Sequence, residues 1–190
     1  MANYRKATER REEIVDRAMR LFAEQGVGAS LRAIADSIGV THAALRYYFA
    51  SRDELVVEVY RAHESIRLET PGRDELPAVG LMEQSIERNR SIPGLVALYL
   101  SLTTDALQGD RYPLTRDFVV HRFARVRGEL AERVREGQRA GTIDATIDAG
   151  AAAALVIAAT DGLQLQHLLD PDAVDVAASL ALLERLLPTV

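Results

Sequence analysis

Helical spacing of apolar residues runs along almost the whole chain, and it restricts the fold more than any other feature. Ile14, Ala18, Leu21 and Phe22 recur at intervals of three and four residues, which is the period of one face of an α-helix. We find no convincing run of alternating β-branched residues that would indicate a strand. The sequence therefore predicts an all-α protein.

Prolines divide the chain into two parts. All six follow residue 70, and Pro71-Gly72 is the strongest helix-breaking pair. We predict a first domain over residues 1–50, a connecting helix over 51–70 and a larger helical domain over 71–190. Pro93, Pro113 and Pro171 are expected at or near first turns, where a missing N–H costs little. Helices of the larger domain are predicted near 74–91, 94–108, 114–139, 148–168 and 172–187.

Two short helices joined at Gly39 form the most informative motif. Ser30 suits the N-cap of the first helix and Thr41 that of the second. Ala35 is small where the helices cross, and Leu45 seals the second helix onto the first. The spacing Ala-x3-Gly-x5-Leu is typical of a helix-turn-helix. Its second helix is followed by Ser51-Arg52-Asp53-Glu54, a capping box that opens a fourth helix predicted to reach about residue 67.

The exposed face of the second helix suits DNA. Thr41, His42 and Ala43 are small or polar, so the front of the helix can enter a major groove about 12 Å wide. Arg46 can donate two hydrogen bonds to a guanine edge, and His42 can reach a base or a phosphate. Tyr47, together with Tyr48 and Arg52, suits phosphate contacts. The alternative is that the aromatic residues 47–49 are core, which we favour for Phe49, and that Arg46 is simply solvated.

Residues 10–57 resemble the DNA-binding domain of the TetR family of transcriptional regulators, from Arg10-Arg11-Glu12-Glu13-Ile14 through the Gly39 turn to Arg52-Asp53-Glu54-Leu55. The resemblance implies base contacts by Arg32, His42, Ala43 and Arg46, and backbone contacts by Ser30, Ala44, Tyr47, Tyr48 and Arg52. With Thr41, these are the candidate DNA-binding residues. The family usually has Tyr at position 46, His at 48 and Lys at 52, and often a hydroxyl at 44. These departures bear on the operator sequence rather than on DNA binding.

The same resemblance implies that the larger domain binds a small molecule and forms a homodimer. The two last predicted helices are rich in Ala, Leu and Val and can bury one face against a twin, although they can also complete the core of a monomer. A pocket is expected between the middle helices, where each candidate can also be ordinary core. The candidates are Met82, Ile86, Leu98, Tyr99, Leu102, Thr103, Phe118 and Arg122.

Composition excludes several function classes. The chain has no cysteine, which excludes disulfides and thiolate sites. Its longest apolar run, 149–159, is shorter than the roughly 20 residues of a membrane span, and no signal peptide is visible, so we expect a cytoplasmic protein that does not bind a membrane. The net charge is −5, but residues 1–62 carry ten cationic and nine acidic side chains and the remainder is acidic. No catalytic or metal-binding spacing is present, so we expect neither an enzyme nor a cofactor.

The expected function is that of a ligand-responsive regulator, a repressor that a small molecule releases from its double-stranded DNA operator. Helix 51–67 joins the two domains, so we expect a tilt of this helix to transmit the effect of the ligand to the DNA-binding helices. Linkage then requires the ligand and DNA to weaken each other's binding by the same factor. Two alternatives stay open at this point. One is an activator of the same fold, and the other is a helical protein-interaction module with a non-functional helix-turn-helix.

Overall fold

The computed structural model describes residues 2–25, 28, 30–65, 72 and 76–186, and within these ranges it is helical and contains no strand. This confirms the all-α prediction. The described helices are α1 (Ala2–Gln25), α2 (Leu31–Ser37), α3 (His42–Tyr48), α4 (Arg52–Ser65), α5 (Ala78–Ser91), α6 (Leu95–Ala106), α7 (Pro113–Arg139), α8 (Ala149–Leu169) and α9 (Val176–Leu186).

The chain packs as two compact units. The first unit comprises Met1–Glu69 and Ile92–Val119, and the second comprises Thr70–Ser91 and Val120–Val190. Helices α1 to α4 and α6 therefore belong to the first unit and α5, α8 and α9 to the second, while α7 contributes to both. These two units are defined by which residues pack together. The predicted boundaries 1–50, 51–70 and 71–190 divide the chain by function instead, so they stay a prediction.

The core of the first unit follows the apolar spacing of α1. Ile14, Ala18 and Phe22 are buried, and α1 packs against α2, α4 and α6. The N-cap of α6 comes very close to α1, because a Cβ added to Gly94 would lie 2.5 Å from the Cα of Ala23. Gly26, which follows α1 and whose residue type suits a helix C-cap, lies outside the described residues.

The start of α4 matches the predicted capping box in one half and differs in the other. The backbone N–H of Glu54 donates to the hydroxyl of Ser51 over 3.0 Å. The Glu54 carboxylate accepts from the backbone N–H of Ala50 over 2.8 Å, one residue before the N-cap. Both contacts satisfy backbone donors at the entry to the helix, which is where an α-helix leaves them unpaired.

The second unit is built around α8, which packs against α5 and α9. Val156 and Leu130 are fully buried in its apolar core. Asp148 caps α8 by accepting from the backbone N–H of Ala151 over 2.6 Å. By length and a mean hydropathy of 1.2, α8 is long and apolar enough to cross a membrane, and a third of that stretch is buried inside its unit. Such a helix is weak evidence of a membrane span, since core helices of globular proteins share these properties.

The last helix begins later than its proline suggests. The sequence predicts a start at 172, directly after Pro171, but residues 171–173 form a turn and α9 begins at Val176. Asp175 provides the cap instead, since its carboxylate accepts from the backbone N–H of Ala178 over 2.9 Å. Proline is compatible with the first turn of a helix but does not by itself start one. The residue with the better capping side chain therefore decides where the helix begins.

Candidate nucleic-acid interface

The turn between α2 and α3 is a Schellman motif around Gly39. Gly39 adopts φ 72°, the left-handed region that favours glycine. Its N–H donates to the carbonyl of Asp36 over 3.3 Å, and the N–H of Val40 donates to the carbonyl of Ala35 over 3.0 Å. Ala35 and Leu45 are both fully buried, so the two helices cross where the spacing predicts a helix-turn-helix.

The hydroxyls of Ser30 and Thr41 cap the two helices. The Ser30 oxygen accepts from the backbone N–H of Ala33 over 3.2 Å, and the Thr41 oxygen accepts from that of Ala44 over 3.0 Å. Each capping oxygen keeps its own hydrogen, which can donate to an acceptor outside the helix. Both capping residues are exposed, so each hydroxyl is accessible to such an acceptor.

The structure places the ten predicted DNA-binding residues along one stretch of the first unit. Tyr47 is 79% exposed although its ring is aromatic. Its neighbour Tyr48 is half-buried, and the two rings meet edge to face with centroids 5.1 Å apart. Phe49 is fully buried, as expected for a core residue. The other exposed candidates are Ser30, Arg32, Thr41, His42, Ala43, Ala44 and Arg46.

Arg52 is less available than its sequence position suggests. Its guanidinium lies 3.6 Å from a carboxylate oxygen of Asp105 in α6, and both side chains are about one-fifth exposed. The sequence does not predict this pairing of Arg52 with Asp105. The two residues are 53 positions apart, so no local pattern brings them together.

Asp53 makes a contact between α4 and α7 that the sequence does not predict. Its buried carboxylate accepts from the backbone N–H groups of Leu114 and Thr115 over 3.0 and 3.1 Å, and from the hydroxyl of Thr115. The first turn of α4 therefore caps the first turn of α7. The signal in the sequence is the acidic residue at the second position of α4, which by itself indicates only a favourable helix start.

A groove of about 730 Å³ lies between α1, the end of α3 and α4. Tyr47 and Tyr48 form one wall, and Glu58 and Arg61 lie on α4 opposite α1. Burial would raise the pKa of the Glu58 carboxyl, but hydrogen bonds from Arg11 and Arg61 outweigh it, so its pKa lies below the ordinary value. The remaining lining residues are Ala7, Thr8, Arg11, Glu12, Val15, Asp16 and Ala62.

Three of the eight pocket candidates belong to the second unit and five to the first. Met82 and Ile86 are buried in the apolar core of the second unit, where Arg122 is also buried. The Thr103 hydroxyl donates to the carbonyl of Leu100 over 2.8 Å, and Tyr99 stacks on Tyr60 with ring centroids 5.6 Å apart. The other first-unit candidates, Leu98, Leu102 and Phe118, are buried. Their role as ligand contacts stays a prediction.

One polar group of the second unit was not foreseen as a candidate. The side-chain oxygen of Gln164 in α8 is buried and has no hydrogen-bond partner within the described ranges, while its nitrogen donates to the carbonyl of Thr160 over 3.4 Å. Buried acceptors are nearly always satisfied, so this oxygen is open to a donor from a water molecule or a bound ligand. In the same described ranges, no group of three or more His, Asp or Glu residues is placed to hold a metal ion.

Comparison with known proteins gives two adjacent family matches. Residues 14–59 match the model of bacterial regulatory proteins of the tetR family, and residues 81–190 match the C-terminal model of the BetI-type transcriptional repressor. The transcriptional regulator TtgR of Pseudomonas putida is 28% identical over 185 residues, covering 90% of this chain and 85% of its own. BetI of Brucella anthropi is 27% identical over 190 residues, covering 92% and 90%.

Solved structures share the fold. A TetR-family transcriptional regulator from Cytophaga hutchinsonii superposes with a TM-score of 0.77 at 16% identity, covering 96% of this chain and 94% of its own. A protein from Saccharomonospora viridis, described as a transcriptional regulator and solved in complex with choline, gives a TM-score of 0.73 at 24% identity, covering 93% and 94%. At these identities the likeness concerns the fold.

Proposed function

The chain belongs to the TetR family of bacterial transcriptional regulators, and we propose that α3 is the helix with which this ligand-responsive, DNA-binding repressor reads its operator. The observation that carries the proposal is the composition of the exposed face of α3. His42 and Ala43 at its front leave room for close approach to the base edges, and Arg46 is exposed one turn further on. An exposed reading face of this kind also argues against a non-functional helix-turn-helix.

Base reading is assigned to Arg46, His42, Ala43 and Arg32. An arginine donates two parallel hydrogen bonds to O6 and N7 of guanine, and such a pair discriminates by about 1–3 kcal/mol. Ala43 contributes an apolar contact of the kind that a thymine methyl group accepts. The arginine at position 46, where the family usually has tyrosine, therefore favours a guanine in the half-site.

Backbone contacts are assigned to Ser30, Thr41, Tyr47, Tyr48 and Arg52. The exposed hydroxyls of the two capping residues suit phosphate oxygens, and Tyr47, which is 79% exposed, carries a phenol that can donate to another. Ala44 offers only a small side chain there. Arg52 exchanges its ion pair with Asp105 for a phosphate or shares its donors between the two, since a guanidinium carries five N–H groups.

A salt titration tests this assignment. Affinity for random-sequence duplex and for an operator selected from genomic fragments is measured over a range of salt concentrations. We expect log K to fall steeply with log salt and Arg52→Ala to reduce the slope by about one unit, because one phosphate contact is lost. We expect Arg46→Ala to weaken operator binding more than random-duplex binding.

The matched control is Arg127→Ala, which removes an exposed arginine from α7 outside the proposed interface. It should change neither the slope nor the preference for the operator. Absence of binding even at low salt, or equal effects of all three substitutions, would contradict the assignment of α3.

The effector is proposed to be a small molecule held by residues of the predicted pocket together with Gln164. The unpaired oxygen of Gln164 would accept a hydrogen bond from the effector, while Met82 and Ile86 supply apolar contact from the core of the same unit. Choline is the first probe, because one structural neighbour was solved with it. The other positions to be varied are Leu98, Tyr99, Leu102, Thr103, Phe118 and Arg122.

Linkage gives the test of this effector site. A compound that raises the melting temperature should lower operator affinity, and operator should weaken the compound by the same factor. Gln164→Leu should reduce that effect and leave the protein without the compound at least as stable, since an unsatisfied buried acceptor is removed. Unchanged operator affinity in the presence of a bound compound would contradict the effector proposal.

We propose further that the protein is a cytoplasmic homodimer and that its interface is an apolar seam on α8 and α9. On α8 the seam consists of residues spaced by four and three positions, and all of them are exposed or half-buried: Ala151, Leu155, Ala158, Gly162, Leu165 and Leu169. On α9, Ala178 and Leu182 are exposed one turn apart. Such a seam suits packing against a second copy of the same helices, and a dimer reads two half-sites about 34 Å apart.

A further inference from the structure

We propose that two arginines of α1, Arg11 and Arg17, hold the two ends of α3 and thereby set the sequence specificity of DNA reading. The proposal rests on the proposed function, since it concerns how α3 is oriented. Neither arginine is among the residues assigned to bases or phosphates, so both are positioning residues that act through α3.

The need for such support follows from the length of α3. It has seven residues, and isolated helices shorter than about 12–15 residues are marginal in water. A reading helix must nevertheless place its side chains to within about 0.5 Å for hydrogen bonds to discriminate among bases. The orientation of α3 therefore has to come from contacts with other elements, of which the packing of Leu45 is one.

Arg17 holds the N-terminal side of α3 through the preceding turn. Its guanidinium donates to the backbone carbonyl of Ile38 over 2.8 Å, and its other nitrogen pairs with Glu13 over 2.6 Å. Ile38 is the C-cap of α2, where a carbonyl lacks a partner inside the helix and a cation is favourable. Because Ile38 directly precedes Gly39, the contact fixes the point at which the chain turns into α3.

Arg11 holds the opposite side. Its guanidinium lies over the ring of Phe49, 4.6 Å from the ring centroid, a cation–π arrangement. Phe49 is the C-cap of α3 and is fully buried. Two carboxylates of α4 hold Arg11 in place, Glu58 at 2.8 Å and Glu54 at 3.6 Å. The end of α3 is thus tied to both α1 and α4.

The spacing of the two arginines matches the helix that they hold. Six residues correspond to a rise of about 9 Å along α1, and the seven residues of α3 correspond to about 10 Å. The arginine nearer the C-terminus of α1 contacts the turn that precedes α3, and the one nearer the N-terminus contacts the C-cap of α3. A change at either position therefore tilts α3 instead of displacing it evenly, which moves Arg46 and His42 relative to the base edges.

Both side chains are partly solvated, which separates positioning from folding. Arg11 is 36% exposed and Arg17 is 40% exposed, whereas the apolar contacts of α3 through Leu45 and Phe49 are fully buried. Replacing either guanidinium leaves that apolar core in place. The expected consequence is a folded protein that binds DNA with reduced discrimination.

The experiment measures discrimination directly. Arg11→Met and Arg17→Met keep an unbranched apolar stem and remove the guanidinium, and Arg20→Met removes an exposed charge from the same helix as the matched control. Affinity is measured for the selected operator and for random-sequence duplex. We expect both test variants to lose about tenfold or more of operator affinity, the size of one base-reading pair, and to match the control on random duplex.

A double variant tests whether the arginines act through α3. If Arg17 orients Arg46, the losses from Arg17→Met and Arg46→Ala are less than additive on the operator, because a misplaced Arg46 has already lost its contact. Full additivity, or equal loss on operator and random duplex, would overturn the proposal. A wild-type protein that shows no sequence preference would instead overturn the proposed function, and with it the positioning role of Arg11 and Arg17.

Folding is checked for every variant by circular dichroism and thermal midpoint. If a methionine variant unfolds, Arg17→Lys and Arg11→Lys take its place, since they keep the charge and lose the planar group with its fixed donors. We expect an intermediate loss of discrimination from the lysine variants. Full retention by them would show that charge alone matters and would overturn the positioning role.

Discussion

Gly39 shows how one residue decides the geometry of the turn between α2 and α3. We expect Gly39→Ala to destabilise the protein by about 1–2 kcal/mol, because an L-residue at φ 72° is strained although the nearest atom to the new Cβ lies 4.0 Å away. Gly128→Ala is the matched control with the opposite sign. Gly128 lies inside α7 with open space around it, so alanine should stabilise by about 1 kcal/mol. Chemical denaturation measures both, and a neutral Gly39→Ala would contradict the strain.

Two glutamates give opposite pH dependences. The lowered pKa of Glu58 means that its ion pairs stabilise the fold above the ordinary value of 4.5, and this contribution is lost as the pH falls through the lowered pKa. Burial and the neighbouring Glu184 raise the pKa of Glu83, so its charge destabilises the fold at neutral pH. We expect Glu58→Gln to lower the free energy of unfolding at pH 7 and Glu83→Gln to raise it.

Urea titrations between pH 3 and 8 measure the difference of each variant from wild type. Both differences in the free energy of unfolding should be largest at neutral pH. The difference for Glu58→Gln should shrink below pH 4.5. The difference for Glu83→Gln should already shrink at higher pH, as the pH falls through the raised pKa of Glu83. Two differences of the same sign at pH 7 would contradict this account.

At the scale of elements, the Asp53 carboxylate joins the first turn of α4 to the first turn of α7. We expect Asp53→Ala to destabilise the protein by about 2–3 kcal/mol, because the carboxylate acceptor is lost and the N–H groups of Leu114 and Thr115 lose their hydrogen-bond partner. Thr115→Val removes only one donor and should cost about 1 kcal/mol. The exposed Asp110 serves as control, and Asp110→Ala should stay within about 0.5 kcal/mol of wild type.

A double variant completes this test. If the contact is shared, Asp53→Ala and Thr115→Val together should cost less than the sum of the two. Additive losses measured by urea denaturation would mean that the two residues stabilise the fold independently, contrary to the hydrogen bonds seen between them.

At the scale of the whole molecule, the seam on α8 and α9 predicts the oligomeric state. We expect the wild type to be a dimer and Leu155→Glu together with Leu182→Glu to give a folded monomer, because a charge on each helix cannot be buried against its twin. Leu107→Glu is the control, since Leu107 is 86% exposed and follows α6 in the first unit, whereas the seam belongs to the second. Size-exclusion chromatography with light scattering reads the mass, and a monomeric wild type or a dissociated control would refute the seam.

Much of the fold could be predicted from the sequence because the signals are local. Ser30, Thr41 and Gly39 cap or turn the chain through hydrogen bonds that span three to five residues, and the apolar spacing of α1 needs only one helical turn to be visible. The start of α9 was predicted wrongly because Pro171 and Asp175 offer two starts a few residues apart. Local preference alone does not choose between them.

The sequence by itself determined an all-α fold, the helix-turn-helix and the family to which it belongs, since each depends on residues close together in the chain. Only the tertiary structure decided that Arg11 lies over Phe49, that Arg52 meets Asp105 and that Asp53 caps α7. These partners are 38 to 62 positions apart, and which of many arginines and acids meet is set by how the helices pack. Packing depends on the shape of whole helix surfaces, which no local pattern records.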